Sequence, residues 1–247
     1  MKKYRQLILN KYLSQSYAEH DKDSFLLGND LKRNLTFFKY NFLKLLPADK
    51  KSRFLELGPG NGQFCEFLRL NGYNNYVGID GSEEAESPRK TKGYNIICTD
   101  FLTFCKQPEN QNAFDVVIAN DIIEHFTKEE LFDLFGAIRN CLKEKGTILI
   151  KTPNASNIFT GAQGRYCDLT HEIIFTEKSL KQLFISLDYD SISFYESNLF
   201  CFYWNPLNYL GWCANFILRI LQLLIHRLHG NFETHIFGAN IIAKVTK

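Results

Sequence analysis

Residues that could act as bases or bind a metal ion follow an apolar run at 114–119. Asp121, Glu124 and His125 have spacings of three and four, which place side chains on one face of a helical turn. A second histidine, His171, lies further along the chain. Such residues are ordinary ligands of Mg²⁺, Mn²⁺ or Zn²⁺, and histidine also suits general-base catalysis. Three interpretations stay open: a metal site of all four residues, a base at His125 or His171, or packing and capping histidines.

A glycine-rich turn follows the first apolar run and contains Glu56, Gly58, Pro59, Gly60 and Gly62. Glycines permit a tight turn and let the backbone approach a ligand closely. A dinucleotide-binding turn would have a third glycine where this chain has glutamine. The carboxylate before the turn would repel a pyrophosphate and attract an ammonium group. The turn therefore favours a ligand that carries a cationic nitrogen.

Three further polar positions come where later strands are predicted to end. They are Asp80 with Gly81 behind it, Asp100 with Phe101 behind it, and Asn120. A carboxylate such as Asp80 can accept hydrogen bonds from both hydroxyls of a ribose. Asp100 can accept from an adenine amino group, and Phe101 can pack on the ring. Open α/β sheets bind ligands at the carboxyl ends of their strands, so these positions predict one shared site.

The elements that must position these residues are short apolar runs that alternate with helical segments. The runs show little polar alternation, which is typical of strands buried on both faces of a parallel sheet. Spacers of about a dozen residues or more suit parallel crossovers. The predicted strands are Arg53–Leu57, Tyr76–Ile79, Asn95–Cys98, Phe114–Ala119, Thr147–Ile150, Ser191–Glu196 and Phe237–Val245. The predicted helices are 62–71, 128–143 and 177–187, the last with Thr176 as its N-cap.

Four motifs in this order resemble the class I S-adenosylmethionine-dependent methyltransferases: ELGPGNG at 56–62, VGIDGS at 77–82, CTDF at 98–101 and FDVVIANDIIEHF at 114–126. The resemblance covers about residues 50–197 and the last strand. It implies a Rossmann-like α/β three-layer sandwich with a seven-stranded, mostly parallel sheet whose last strand is antiparallel. The segment 83–88 departs from the family pattern, because Pro88 should shorten or break a helix there.

The same resemblance implies cofactor-binding roles. Glu56 and the loop 58–62 would hold the methionine part of S-adenosylmethionine, and Asp80 would bind the ribose hydroxyls. Asp100 and Phe101 would bind adenine. The backbone at Asn120 would contact the methionine amino group.

Looser likenesses concern the acceptor side. The DxxEH pattern at 121–125, a later histidine and Thr152-Pro-Asn154 resemble the metal site of small-RNA 3′-terminal 2′-O-methyltransferases, which have ExxEH. Ubiquinone-biosynthesis O-methyltransferases carry a similar Glu-His pair. The segment 170–180 resembles methyltransferases of bacterial surface-polysaccharide synthesis. Two interpretations of Arg165 stay open: it binds a phosphate or carboxylate group, or it forms a surface ion pair.

The chain divides into an N-terminal helical cap (1–50), a methyltransferase core (51–197), an apolar insertion (198–234) and a final edge strand (235–247). The insertion predicts a helix from Leu207 to about His229 with one narrow polar stripe. Its wide apolar face has to be covered, as a substrate lid, in a homodimer or on a membrane surface. Arg219 in mid-helix argues against a spanning helix, whereas Trp204, Trp212, Arg219 and Arg227 suit an interfacial one. The stripe consists of Asn208, Asn215, Arg219, Gln222, His226 and His229.

Composition narrows the function further. The 247 residues carry a net charge of +2, which argues against a dedicated nucleic-acid binder. Seven cysteines without a CxxC pair predict free thiols in a reducing cytosol, and the short basic start predicts no signal peptide. The sequence thus favours a cytoplasmic O-methyltransferase, at the inner face of the membrane if the insertion binds lipid. Its predicted acceptor is a sugar hydroxyl of a glycan or lipid-linked saccharide. The alternatives are a hydrophobic phenol or quinone precursor and a non-catalytic binding protein of the same fold.

Overall fold

The computed structural model of the protein describes residue 8 and residues 24–82, 92–197 and 206–247. The predicted break at Pro88, Trp204 and most of the segment 1–23 lie outside these ranges. The strands are β1 (Phe54–Leu57), β2 (Tyr76–Asp80), β3 (Ile96–Cys98), β4 (Phe114–Asn120), β5 (Leu142–Pro153), β6 (Ser191–Glu196) and β7 (Asn240–Thr246). The α-helices are α1 (Ser24–Asn41), α2 (Gln63–Leu70), α3 (Phe101–Cys105), α4 (Lys128–Cys141), α5 (Gly161–Tyr166), α6 (Glu177–Ile185) and α7 (Pro206–Leu228).

The strands form one seven-stranded sheet in the order β3-β2-β1-β4-β5-β7-β6. Neighbouring strands pair in parallel except β7, which runs antiparallel to both β5 and β6. The predicted α/β sheet with an antiparallel last strand is therefore confirmed. The order reverses between β1 and β4, so their carboxyl ends form the crevice where ligands bind in such sheets.

Apolar side chains of the central strands point alternately to the two faces of the sheet, and each face has its own core. Leu55 and Leu57 belong to a core that includes residues of α4 and α6. Phe54 belongs to a second core with Phe38, Phe42 and residues of α2. The helices thus cover both faces of the sheet. This explains why the sequences of the central strands are continuous apolar runs.

The largest differences from the predicted boundaries concern β5 and β7, and the other boundaries differ by two residues at most. Helix α4 ends at Cys141 and β5 begins at Leu142, which pairs with Phe114 across an irregular register. The last strand begins at Asn240 rather than Phe237. The carbonyls of Ile236 and Gly238 accept hydrogen bonds of 2.9 Å from the Asn154 side chain, so this stretch satisfies its backbone without a neighbouring strand.

Candidate active site

The glycine turn joins β1 to α2 in a left-handed backbone conformation. Gly58, Gly60 and Gly62 have φ angles of +62°, +49° and +70°. A Cβ atom at Gly62 would lie 2.5 Å from the ring of Tyr94, closer than any carbon contact allows. At Gly60 a Cβ would meet no atom of the described residues within 4 Å. The turn is therefore packed from behind at Gly62 and open at Gly60, where a ligand could approach the backbone.

Asp80, at the end of β2, faces this turn. One carboxylate oxygen accepts from the Gly60 N–H at 3.3 Å, and the other accepts from the Ser82 N–H at 2.9 Å. At Gly81 a Cβ would lie more than 4 Å from the atoms of the residues that the structure describes. The predicted ribose-binding carboxylate therefore lies beside the predicted methionine-binding loop.

Glu56 is buried beneath the turn. The Cys65 thiol donates to its Oε2 atom at 3.0 Å. Burial raises the pKa of Glu56 to about 7, since desolvation disfavours the anion and outweighs the thiol hydrogen bond, and the Asp80 charge adds to the rise. A cationic ligand next to Glu56 would favour its charged form. Cys65 is a contact that the sequence pattern did not single out.

The predicted adenine side lies after β3. Asp100 caps the N-terminus of α3, where one carboxylate oxygen accepts from the Thr103 N–H at 2.9 Å. The Phe101 ring packs on Phe126 with centroids 5.9 Å apart. Asp100 therefore has a structural task in addition to the adenine contact that the family resemblance implies.

Asn120 ends β4, and the polar atoms of its side chain are buried. Neither its amide nitrogen nor its amide oxygen makes a hydrogen bond within the described part of the chain. A buried amide without partners costs about 1–3 kcal/mol, so a bound molecule that pairs with it would be stabilising. An amino-acid moiety offers both donors and acceptors. The residues present therefore fit the methionine part of S-adenosylmethionine.

The acceptor side is the region in which the methyl acceptor would bind. Asp121 is its first predicted residue, but the Asp121 carboxylate is bonded elsewhere. Its φ angle is +48°, which prevents a regular helical turn from beginning there, and a 3₁₀ turn covers Ile123–His125 instead. The Asp121 carboxylate forms an ion pair with Lys151. The structure therefore separates Asp121 from the predicted four-residue set, although its charge still acts on Glu124.

Glu124 is 1% exposed and anchors the acceptor side. Its Oε2 atom accepts from the Thr152 hydroxyl at 3.1 Å, and its backbone carbonyl accepts from the Glu172 N–H at 2.8 Å. Burial, followed by the Asp121 charge, raises the pKa of Glu124 to about 8. Glu124 thus fastens the segment that carries the second histidine to the end of β4.

His125 is held by a hydrogen-bonded chain. Its Nδ1 atom lies 2.7 Å from the Thr170 hydroxyl oxygen, and that hydroxyl lies 2.6 Å from a carboxylate oxygen of Asp168. Burial opposes ionisation of Asp168, but hydrogen bonds from Thr170 and the two histidine charges hold its pKa below the usual value. The ionised carboxylate can only accept, so Thr170 donates to it and accepts from the Nδ1–H of His125. The Nε2 atom of His125 therefore carries the lone pair.

His171 is fixed in the same tautomer by a different partner. Its Nδ1 atom lies 2.6 Å from the carbonyl oxygen of Gly164, which can only accept. Arg165 donates to the carbonyl of His171 and stacks near the Tyr166 ring. Arg165 therefore helps to hold the histidine segment in place.

Glu124, His125 and His171 form the one group of potential metal ligands in the described residues. One ligand atom of each lies within 4.8 Å of the others, and all three residues are buried. The two imidazole rings meet edge to face with centroids 4.7 Å apart. The structure thus brings together three of the four predicted residues from two segments that are far apart in sequence.

The comparisons with known proteins agree with this geometry. The model of a methyltransferase domain family matches residues 30–193, more than half of the chain. The chain belongs to this family. S-adenosylmethionine is therefore its cofactor. A search of curated proteins finds no match.

Solved structures share the fold at low sequence identity. A methyltransferase from Archaeoglobus fulgidus is 19% identical, with a TM-score of 0.63 over 90% of this chain and 99% of that one. The plantazolicin methyltransferase BpumL, in complex with S-adenosylhomocysteine, is 19% identical, with a TM-score of 0.55 over 99% and 97%. The 1,6-didemethyltoxoflavin-N1-methyltransferase from Burkholderia thailandensis is 12% identical, with a TM-score of 0.56 over 98% and 88%.

Proposed function

We propose that the protein transfers the methyl group of S-adenosylmethionine to a hydroxyl oxygen, with His125 as the general base. The observation that carries this proposal is the Asp168–Thr170–His125 chain, which places the proton on Nδ1 and makes Nε2 the basic nitrogen of the ring. An alcohol has a pKa far above neutral, so a base is needed to make its oxygen nucleophilic. His171 is the second candidate for this role.

Bound S-adenosylmethionine supplies the methyl group on a sulfonium sulfur. As the new O–CH₃ bond forms and the S–CH₃ bond breaks, Nε2 of His125 takes the hydroxyl proton. The positive charge then moves onto the imidazole, where Asp168 stabilises it through Thr170. Asn120 and the glycine turn position the donor, while Glu124 and Arg165 hold the acceptor segment for an in-line approach.

A divalent metal is the second candidate, favoured by the Glu124–His125–His171 cluster. Both histidines donate Nδ1–H to oxygen, as metal-binding histidines usually do, which leaves Nε2 of each ring as a ligand. Mg²⁺, Mn²⁺ or Zn²⁺ held there would lower the pKa of a coordinated hydroxyl. Asp121 would contribute only its charge, because its carboxylate pairs with Lys151.

For the acceptor we propose a sugar hydroxyl of a glycan or of a lipid-linked saccharide, on the likeness of the segment 170–180 to polysaccharide-associated enzymes. A hydrophobic phenol or quinone precursor is the alternative, favoured by the apolar surface of α7.

We further propose that the protein is cytoplasmic and contacts the inner face of the membrane through 206–229. The alternative is that 206–229 forms a homodimer interface. A non-catalytic binding protein is disfavoured by the alignment of Asp80 with the glycine turn.

Product analysis tests the proposal most broadly. The full chain is incubated with isotopically labelled S-adenosylmethionine and candidate glycans, and mass spectrometry locates the added methyl group. A methyl group on a sugar oxygen supports the proposal, whereas a methyl group on nitrogen or carbon overturns it.

Treatment with EDTA separates the two catalytic candidates. Turnover that survives chelation supports the base, and loss that returns with Mg²⁺, Mn²⁺ or Zn²⁺ supports the metal.

A further inference from the structure

Helix α7 presents its polar stripe to the rest of the protein. Gln222 is 2% exposed: its side-chain oxygen accepts from the Ile158 N–H at 3.0 Å, and its amide group donates to the Phe237 carbonyl at 3.4 Å. His226 donates to the Ser156 carbonyl at 3.2 Å. Arg219 pairs with Glu196 at the end of β6. The polar stripe is therefore the seam that attaches the helix to the domain.

The apolar face of α7 points to solvent in consequence. A soluble domain normally buries the apolar face of a surface helix and exposes the polar one, so the orientation is inverted here. Monomeric proteins rarely expose apolar patches larger than a few hundred Å². This face calls for a partner that solvates apolar groups. Its exposed large side chains are Leu207, Tyr209, Leu210, Trp212, Phe216, Ile217, Leu218, Ile220, Leu221, Leu224 and Leu228.

The apolar surface extends into the segment that holds the second histidine. Tyr166 and Leu169 are 78% and 80% exposed, and Ile158 and Phe159 are about half exposed. The segment 158–169 joins α7 through the Ile158–Gln222 hydrogen bond. It also holds the site, since Gly164 and Arg165 both bond to His171. One surface thus combines α7 with the segment that holds His171.

The charges on this surface indicate which partner fits. No aspartate or glutamate occurs between residues 198 and 232. Arg219 and His226 are engaged in the seam, so Arg227 and His229 are the basic side chains that remain at the end of α7. The Arg227 guanidinium lies 5.2 Å from the centre of the Phe232 ring. A second copy packed through α7 would bring no carboxylate to Arg227, because the helix carries none. Anionic lipid headgroups supply the missing negative charge, and acyl chains cover the apolar side chains.

The helix is long and apolar enough to cross a bilayer by length and composition, over Leu207–Leu228. Crossing would break the seam, however, and would place Gln222, His226 and Arg219 in lipid without their present partners. Unpartnered polar groups in a bilayer core cost several kcal/mol each. The helix therefore keeps its seam and lies along the membrane surface.

We infer that α7 and the segment 158–169 form one docking surface for an anionic bilayer, and that the acceptor hydroxyl belongs to an amphiphile in that bilayer. This inference rests on the methyl transfer proposed above. Docking places the segment 158–169, which holds His171, at the level of the lipid headgroups. The acceptor then reaches the site from the membrane and need not dissolve in water.

Vesicle flotation with the full chain tests the docking surface. Wild-type protein should bind vesicles containing about one third phosphatidylglycerol more tightly than vesicles of phosphatidylcholine alone. The variant Ile217→Glu/Leu224→Glu should lose at least about tenfold in binding, because two charges would enter the interface. The matched control Leu70→Glu/Ile185→Glu changes equally exposed apolar residues on α2 and α6 and should bind like wild type. Leu169→Glu should weaken binding several-fold if the segment 158–169 belongs to the surface.

Three results would overturn the inference. Wild-type protein that ignores vesicles but forms a dimer in light scattering would assign the apolar face to a second copy. Bound protein that resists alkaline carbonate extraction would show a spanning helix. Unchanged binding of Leu169→Glu would separate the membrane surface from the active site.

Calorimetry with S-adenosylhomocysteine on the same preparations keeps the two proposals distinct. Absence of cofactor binding counts against the proposed function, whereas cofactor binding without vesicle binding counts against the docking surface alone.

Discussion

The cofactor side and the acceptor side of the candidate site are built in different ways. The cofactor side uses the ends of β1, β2 and β4, where a few consecutive residues set the geometry. Asp80 meets Gly60 because parallel strands bring their carboxyl ends to one edge. The acceptor side instead joins Glu124 and His125 to His171, and backbone hydrogen bonds between distant segments hold it together. A common sheet can therefore keep one cofactor while its loops select different acceptors.

The comparison predicts that the two sides can be damaged separately, and His125→Ala is the strongest test. We expect turnover to fall about a thousandfold, within the usual range for loss of a general base. Binding of S-adenosylhomocysteine should be unchanged, because Thr170 and Asp168, which hold the ring, belong to the acceptor side. Turnover is measured with the acceptor found by product analysis. Cofactor affinity that falls in parallel would show that the two sides are not independent.

Glu56 sharpens the comparison from the cofactor side through pH. Its pKa in the folded protein is raised from 4.5 to about 7, so its contribution to stability is full below pH 4.5 and is lost as the pH rises through 7. The Glu56 share of the free energy of unfolding of ligand-free protein should therefore fall by about 3 kcal/mol over this range, as an upper value. The variant Glu56→Gln should lose this share and keep only the fall due to Glu124, whose pKa is also raised, as denaturant titrations at several pH values would reveal. The exposed-residue control Glu109→Gln should retain the slope, and an equal slope in Glu56→Gln would refute the assignment.

Asp80→Ala should weaken binding of S-adenosylhomocysteine by about 2 kcal/mol, or roughly thirtyfold, since hydrogen bonds to a charged group are worth this much. Asp80→Asn keeps one acceptor oxygen and should lose less. Isothermal titration calorimetry measures both variants. Equal affinity in wild type and Asp80→Ala would move the ribose hydroxyls away from β2.

The smallest expected effect concerns the back of the glycine turn. Gly62→Ala and Gly72→Ala both place a side chain at positive φ, but only the first collides with Tyr94. Each should lose about 1 kcal/mol from backbone strain. Gly62→Ala should lose about 1 kcal/mol more, as measured by chemical denaturation. If the two variants are equally stable, Tyr94 does not hold the turn.

The sequence predicted the sheet closely, and it indicated that Asp80 lies beside the glycine turn, because both depend on local patterns. Apolar runs mark the buried strands, and ELGPGNG marks a turn whose glycines all have positive φ. The acceptor side was predicted only in part. A spacing rule placed Asp121 with Glu124 and His125, but the positive φ of Asp121 and its ion pair with Lys151 change its direction. No local pattern indicates that Thr170 links His125 to Asp168, because that contact depends on how a distant loop folds back.

Helix α7 shows the same limit. Its polar stripe was visible in the sequence, yet periodicity cannot say which side faces the domain. The partners of Gln222 are backbone groups of Ile158 and Phe237, far away in the chain. The structure therefore decides that the stripe is the seam and that the apolar face is the exposed one.

A crystal structure with S-adenosylhomocysteine tests the central claim most directly. The account predicts ligand density between Gly60 and Asn120, with the ribose hydroxyls on the Asp80 carboxylate and the sulfur directed toward His125. Density at another place, or a ribose that leaves Asp80 untouched while the ligand is bound, would contradict it.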